Sequence, residues 1–282
     1  MDRESALVTG DWAERHLGTD GVVFVETGND DTEYRKGHLP GAVWIDWSEF
    51  QDRLRLGVID REAFEALMRS KGIGDRDTVV LHSGNANMLA AQTYWYFTLH
   101  GHRSVRLLDG GRRKWEAEGR PLSAEVPARP ATDYRAATPD PSVRATRDDV
   151  LAGLGSRNIL DVRTPEEYAG RVFAPGFAGT PFAPGNNPHE VAQRPGRVPG
   201  AVHRPWEAAV NPDDTFRPQE ELRQLYAGLD PARGTILYCW VGARSSLSWF
   251  VLRELLGWPD VRNYDGSWAE YGSLVGVPVE RD

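Results

Sequence analysis

The chain has 282 residues, of which 40% are hydrophobic and 26% are charged, values typical of globular rather than disordered proteins. Its formal net charge of −8 argues against a nucleic-acid partner, because such proteins usually carry a basic surplus. No apolar run approaches the ~18 residues of a membrane span, and no secretory leader is visible. With a single cysteine, no intrachain disulfide can form, so we expect a cytoplasmic protein that binds neither nucleic acid nor membrane.

A repeat divides the chain into two similar halves. Residues 37–47 and 196–206 share the letters Pro-Gly-Ala-Val, each followed four positions later by Trp. Two further pairs match: Leu108-Asp-Gly-Gly with Tyr264-Asp-Gly-Ser, and the apolar run before Ser83 with the run before Cys239. Because the three pairs occur in the same order with nearly constant spacing, we interpret the chain as a duplicated domain.

Each half is predicted to be an α/β unit. Short runs of apolar and β-branched residues predict buried strands at Val22–Glu26, Val79–His82, Asn158–Val162 and Ile236–Tyr238. A helical stretch follows the second strand of each half, near Met88–Leu99 and near Ser246–Leu256. This order of strand, loop, helix and strand predicts a mainly parallel sheet in each unit.

The two predicted domains are joined by a stretch without periodicity. It is rich in Pro, Ala and Thr, so we predict a linker at residues 123–143 between domains 1–122 and 144–282. The second half also carries 25 extra residues within positions 169–195. Two interpretations of this insertion stay open: a functional loop or a mobile surface excursion.

The loop that follows the last predicted strand carries candidate chemistry. Cys239 ends the strand just before a helix N-terminus, whose unpaired N–H groups and partial positive charge can lower a cysteine pKa from ~8.5 to ~3.5–7.5. Arg244 adds a permanent positive charge, and Gly242 lets the loop curl so that N–H groups converge on an anion. Ser245 or Ser246 can cap the helix. The sequence therefore predicts a reactive thiolate; the alternative is that Cys239 is a small buried core residue.

These motifs resemble those of the tandem-domain rhodaneses, sulfurtransferases of the thiosulfate or 3-mercaptopyruvate type. The resemblance covers nearly the whole chain. The motifs are Gly37-His-Leu-Pro-Gly-Ala, Leu108-Asp-Gly-Gly, Asp161-Val-Arg, Glu167-Tyr, Tyr264-Asp-Gly-Ser-Trp and Cys239-Trp-Val-Gly-Ala-Arg-Ser-Ser. The family resemblance implies two rhodanese-like domains, an inactive N-terminal one and a catalytic C-terminal one, with the active site near their interface.

The resemblance also implies a mechanism and a set of site residues. The thiolate of Cys239 would take the outer sulfur of a small anionic donor such as thiosulfate and hold it as a persulfide. An acceptor thiol, protein or cyanide would then remove the sulfur, without any metal or organic cofactor. Arg171 matches the arginine that binds the donor anion in the family. The loop residues expected to cradle the sulfur are Trp240, Val241, Gly242, Ala243, Arg244 and Ser245.

Departures from the family pattern leave alternatives open. Trp240 stands where thiosulfate-type loops carry Arg, so we expect weaker binding of a dianionic donor. The loop does not fit the Cys-Gly-Ser/Thr-Gly-Val-Thr pattern of 3-mercaptopyruvate enzymes, an activity that stays as an alternative. A second alternative is a relay protein that hands its persulfide to a dedicated partner. A cysteine phosphatase fits less well, because its Cys-x5-Arg loop is one residue longer than the segment from Cys239 to Arg244.

Two smaller clusters, one of histidines and one of basic residues, are interpreted as having no binding function. His100 and His102 lack a third ligand, so we predict surface residues of a turn rather than a metal site. The run Arg112-Arg113-Lys114 is predicted to be a solvated helix face and not a nucleic-acid patch. In the first half, Glu26-Thr27-Gly28 stands where the second half has Asp161-Val162-Arg163, as expected for a copy that has lost catalytic function.

Overall fold

The chain forms two compact α/β units. The computed structural model describes residues 3–52, 57–172 and 193–282. The first unit extends to Pro141 and includes Val210–Arg217, and the second comprises Ser142–Ala209 and Pro218–Asp282. Within the described ranges, no helix is long and apolar enough to cross a membrane.

The first unit is built on a parallel sheet. Its strands are β1 (Leu7–Val8), β2 (Val22–Gly28), β3 (Val43–Asp46), β4 (Gln51–Asp52), β5 (Gly57–Val58), β6 (Thr78–His82) and β7 (Val105–Leu108). Its helices are α1 (Arg3–Ala6), α2 (Gly10–Arg15), α3 (Thr32–Lys36), α4 (Arg61–Ser70), α5 (Met88–Leu99) and α6 (Gly111–Ala117). Five strands pair in parallel in the order β1-β7-β6-β2-β3, while β4 and β5 form a short antiparallel pair.

The second unit repeats this plan with a smaller sheet. Its strands are β8 (Asn158–Asp161), β9 (Val202–His203), β10 (Thr235–Tyr238) and β11 (Val261–Asn263). Its helices are α7 (Arg147–Gly153), α8 (Pro165–Tyr168), α9 (Gln219–Leu225), α10 (Ala243–Phe250) and α11 (Ser267–Tyr271). The strands pair in parallel in the order β11-β10-β8-β9.

The predicted strands and helices on either side of the Ser83 loop and of the Cys239 loop are confirmed. Every residue of β10 is buried, as are the last four residues of β6, which is why both read as uninterrupted apolar runs. Helix α5 packs on β2, β6 and β7 and is buried on nearly every side. Helix α10 begins at Ala243, three residues before the predicted start, and continues as a π-helical turn over Val251–Leu255.

Equivalent strand ends carry equivalent buried charges. In the register of the sheets, Glu26 lies beside His82 and Asp161 lies beside Tyr238. Asp161 binds Arg163, whose Nη2 lies 2.6 Å from Oδ2 and also donates to the carbonyl of Gly196 at 2.7 Å. A buried carboxylate needs such a partner because an isolated charge is strongly destabilising there.

In the first unit a buried acid is likewise linked to a glycine carbonyl by an arginine, but this arginine comes from a different place in the sequence. Arg112, on α6, binds Glu26 with Nη1 at 2.7 Å from Oε1. Its Nη2 donates to the carbonyl of Gly37 at 2.6 Å, and Gly37 opens the first copy of the Pro-Gly-Ala-Val segment as Gly196 opens the second. The prediction of a solvated face is therefore wrong for Arg112, because this helix turns its first arginine toward a buried acid.

The repeated turn is also anchored alike in both units. Tyr34 and Tyr168 each donate their hydroxyl to an alanine carbonyl of their own turn, at 2.8 and 2.7 Å. The Tyr34 ring stacks on His38 at 3.9 Å between centroids. Arg197 takes the place of that histidine in the second copy and lies 4.4 Å above the Tyr168 ring. Since imidazole and guanidinium are both planar, either can cover the tyrosine.

The prediction that His100 and His102 are surface residues is wrong. Both are buried. The His100 ring stacks on Phe64 at 4.2 Å, and His102 hydrogen-bonds the Tyr134 hydroxyl at 2.9 Å and a backbone carbonyl at 2.9 Å. Burial lowers the pKa of His102. These histidines are part of the packing of the first unit.

Two segments pack on the first unit although they lie outside the predicted first domain. Much of the segment predicted as a linker belongs to it: Tyr134 is buried, and the Asp140 amide donates to a carbonyl at the end of α5 at 2.8 Å. Residues 210–217 also belong to it, and the Asp214 carboxylate accepts from the Ala86 amide at 3.3 Å. An acid therefore occupies the loop that corresponds to the Cys239 loop.

We predict that Arg112→Ala destabilises the first unit by about 3–5 kcal/mol, because it leaves Glu26 buried and unpaired. Burial already raises the pKa of Glu26, and losing Arg112 raises it further. A raised folded-state pKa gives stability that is lost as pH rises, so the deficit should be larger at pH 8 than at pH 5. Urea unfolding at both pH values measures it.

The matched control is Arg113→Ala on the same helix. The Arg113 side chain is 65% exposed and its partner is Asp214, so this change should stay within about 1 kcal/mol of the wild type. Equal losses for the two variants would contradict the assignment of the buried pair.

Candidate active site

Cys239 lies directly after β10, in a tight loop that leads into α10. Its side chain is fully buried. Gly242 precedes the helix with φ of +87°, a left-handed conformation that favours glycine. A Cβ at Gly242 would also lie 3.0 Å from the Cα of Asp265. The predicted curl of the loop at Gly242 is therefore confirmed.

The sulfur atom of Cys239 is surrounded by groups that favour its ionised form. The Ser245 hydroxyl lies 3.6 Å from Sγ, and the backbone N–H groups of Val241 and Ser245 also donate toward the sulfur. Burial alone raises the pKa of the thiol, but the charge of Arg244 and these donors outweigh it. The net result is a pKa below the ordinary value for cysteine, as a nucleophile requires.

The proposed capping role of Ser245 and Ser246 is wrong. Both lie inside α10, because the helix starts at Ala243 rather than after the serines. Their hydroxyls lie 3.1 and 2.8 Å from the carbonyl oxygen of Gly242. Since a hydroxyl has one proton, Ser245 directs it either to this carbonyl or to the sulfur.

Helix α11 holds the Cys239 loop from the other side. The Cys239 amide donates to the Ser267 hydroxyl oxygen at 3.1 Å, and that hydroxyl lies 4.0 Å from Sγ. The amides of Trp268 and Ala269 donate to the carbonyls of Cys239 and Trp240, each at 3.0 Å. Ser267 is a site residue missed at the level of sequence, although the repeated Tyr264-Asp-Gly-Ser-Trp motif marked its position.

Arg244 is held by a buried carboxylate. Its Nη1 and Nη2 lie 2.7 and 2.8 Å from the two carboxylate oxygens of Glu167. Glu167 is fully buried, and burial would raise the pKa of its carboxyl, but Arg244 and the Thr164 amide lower it below the usual value. This two-point pairing fixes the plane of the guanidinium.

The position of Glu167 follows from local sequence. Thr164-Pro-Glu-Glu forms a capping box at the start of α8, in which the Thr164 hydroxyl accepts from the Glu167 amide and the Thr164 amide donates to the Glu167 carboxylate. The capping box therefore orients the Glu167 side chain that binds Arg244. Glu167 was part of the motif match, but its link to Arg244 depends on the fold.

A second buried pair lies behind the first. The Arg163 guanidinium lies 4.6 Å from the Trp268 ring centroid and 5.4 Å from that of Tyr238. The Tyr238 hydroxyl donates to Asp161 at 2.6 Å, and burial raises the Tyr238 pKa well above its ordinary value. This network fixes the end of β10, the strand that presents Cys239.

The structure brings most of the predicted loop residues together. Gly242, Ala243 and Ser245 are buried, Trp240 is half-buried against the core, and Val241 is 39% exposed. The Arg171 guanidinium instead makes two contacts with the Glu166 carboxylate, one of them at 3.0 Å. The Arg171 side chain is 57% exposed. Its role as a donor ligand stays a prediction. Residues 173–192 of the insertion lie outside the described residues.

Comparison with known proteins places both halves in one family. A model of the rhodanese-like domain matches residues 9–118 and 146–274. A protein of Saccharopolyspora erythraea named "Putative thiosulfate sulfurtransferase" is 54% identical over 99% of this chain and 98% of its own length. The "Sulfur carrier protein TtuD" of Thermus thermophilus is 44% identical over 98% of this chain and 96% of its own.

A solved structure shares the fold. The anaerobic ergothioneine biosynthesis enzyme of Chlorobium limicola matches with a TM-score of 0.84 and 24% identity, covering 99% of this chain and 71% of that enzyme. At that identity the likeness concerns the architecture alone.

We predict that Ser245→Ala raises the pKa of Cys239 by roughly half to one unit, because the thiolate loses one hydrogen bond. Ultraviolet absorbance of the thiolate against pH measures this pKa directly, since the chain has one cysteine and Cys239→Ser supplies the blank. Ser246→Ala is the control, because its hydroxyl bonds the same carbonyl. Equal effects of the two variants would contradict the assigned contact.

Proposed function

Because the chain belongs to the rhodanese family, we propose that it moves a sulfane sulfur from thiosulfate to a thiophilic acceptor through a persulfide on Cys239. The observation that carries the proposal is the thiol at the end of β10, which lies 3.6 Å from the Ser245 hydroxyl in a loop curled at the left-handed Gly242. The proposed partners are a small anionic sulfur donor and an acceptor that is a thiol or a protein, in the cytoplasm. The second domain performs the chemistry, and the first, with Ser83 in place of the cysteine, does not.

The first step is a displacement at sulfur. The Cys239 thiolate attacks the outer sulfur of thiosulfate, a new S–S bond forms, and the bond to the sulfonate sulfur breaks. Its electron pair leaves with sulfite, so no external oxidant or reductant is required. Arg171 is proposed to bind the anionic end of the donor.

The persulfide then rests in the loop. Its terminal sulfur carries the negative charge that the thiolate carried before, so the same donors stabilise it. These are the amides of Val241 and Ser245 and the Ser245 hydroxyl. Ser267, which fixes the Cys239 amide, keeps the sulfur aligned with them.

The second step regenerates the enzyme. A thiolate or cyanide attacks the terminal sulfur, which leaves as a new persulfide or as thiocyanate, and the electron pair of the broken S–S bond returns to Cys239. In both steps the total charge of the products equals that of the reactants. It requires no metal or organic cofactor.

A sulfur relay is the second candidate function. It is favoured by the name of the 44% identical relative, a sulfur carrier protein, and by Val241, an apolar residue that is 39% exposed beside Cys239. An apolar side chain at this position suits contact with a protein acceptor. A relay would form the persulfide as readily but would transfer it slowly to cyanide and quickly to one partner.

We expect the reduced protein to gain the mass of one sulfur atom on exposure to thiosulfate. Intact-mass measurement reads the gain, and cyanide should reverse it with release of thiocyanate. Cys239→Ser should gain nothing. A parallel exposure to 3-mercaptopyruvate distinguishes the alternative donor.

Three outcomes would count against the proposal. If the protein gains mass only with 3-mercaptopyruvate, that compound replaces thiosulfate as the proposed donor. If it gains mass with neither compound, a protein donor and the relay function remain. Hydrolysis of a phosphate ester by the wild type but not by Cys239→Ser would indicate a phosphatase.

A further inference from the structure

The buried charged groups around Cys239 occur as two neutral pairs. One is Arg244 with Glu167, and the other is Arg163 with Asp161. Both acids and Arg163 are fully buried, and the Arg244 side chain is 11% exposed. In the part of the chain that the structure describes, these two pairs add no net charge beside the sulfur. A thiolate on Cys239 is therefore not balanced by any net positive charge of these two pairs.

Glu167 uses both carboxylate oxygens on Arg244. Both terminal nitrogens of the guanidinium face this carboxylate, and one of the oxygens also accepts from the Thr164 amide. A donor anion that approaches Arg244 meets the field of a carboxylate within 3 Å of the same nitrogens. Repulsion from Glu167 therefore offsets part of the attraction to Arg244 for such a donor, and both scale with the donor's charge.

We propose that Glu167 is a positioning residue that also sets the charge of donor the site accepts. By pairing with Arg244 it fixes the loop and weakens the positive field that would otherwise attract a dianion. The site then favours donors that carry one negative charge, such as organic thiosulfonates or persulfides, over dianionic thiosulfate. This inference rests on the proposed sulfur transfer at Cys239.

A substitution at Glu167 can separate the effect of its charge from the effect of its position. Glu167→Gln keeps the size and an oxygen that can accept from Arg244, but it removes the negative charge. Arg244 then acts on Cys239 without compensation, so the thiol pKa should fall and a dianion should bind better. A purely structural role predicts the opposite signs, because a misplaced Arg244 would raise the thiol pKa and weaken binding of every donor.

The experiment measures single turnovers with two donors, each of which carries one transferable sulfur atom. Thiosulfate carries two negative charges, and methanethiosulfonate carries one and releases methanesulfinate. Persulfide formation is followed by quenched intact mass against donor concentration. In the wild type, half-saturation should need less methanethiosulfonate than thiosulfate. In Glu167→Gln the half-saturating thiosulfate concentration should fall about tenfold, and that of methanethiosulfonate by less.

Two further variants control the comparison. Glu220→Gln removes one carboxylate from an exposed position on α9, where the side chain is 70% exposed, so it should leave both half-saturating concentrations unchanged. Glu167→Asp keeps the charge but shortens the reach, so it should disturb the loop without improving thiosulfate binding. The thiol pKa, read from thiolate absorbance, should fall in Glu167→Gln alone.

The inference is overturned if Glu167→Gln raises the thiol pKa or weakens both donors equally. If that variant does not fold, the wild type still decides, since equal or tighter half-saturation with thiosulfate would contradict a site that disfavours dianions. Failure of the proposed function is distinct: the wild type would then form no persulfide with either donor.

Discussion

The carboxylate of Glu167 is fully buried and the guanidinium of Arg244 nearly so, and either charge would be strongly destabilising there without the other. Their pairing joins the first turn of α10 to the first turn of α8. Ser245 follows Arg244 directly, so fixing the arginine also fixes the hydroxyl that lies beside the sulfur. The lowered pKa of Cys239 therefore depends on the position that Glu167 gives to Arg244 and Ser245, whereas the negative charge of Glu167 opposes it.

What could be predicted from sequence was local in origin. The strand before Cys239, the bend at Gly242 and the charge of Arg244 lie within residues 235–244, so their spacing alone indicated a thiolate site. The start of α10 was placed too late because the left-handed Gly242 begins the helix earlier than a serine cap would. Partners distant in sequence, Glu167 and Ser267, could not be assigned their contacts because only the fold brings them to the loop.

The misassigned Arg112 shows the same limit from the other unit. Its neighbours on α6 read as a basic surface, and one of them, Arg113, is exposed. Nothing local reveals that Arg112 reaches Glu26, far away in sequence, and binds it where Arg163 binds Asp161 in the second unit. The two copies thus keep one interaction, a buried acid tied to the glycine that opens the repeated turn, while drawing the arginine from different elements.

This exchange has a consequence for how the two halves could diverge. Position 28 corresponds to Arg163, and there a Cβ would lie 2.5 Å from the Trp44 ring. An arginine at position 28 would thus require a smaller residue at position 44, and it would compete with Arg112 for the same carboxylate. No single substitution at position 28 reproduces the arrangement of the second unit without a clash or a doubled charge. The packing of the first copy thus holds its own arrangement in place, and a cysteine at position 83 alone would not recreate that of the second copy.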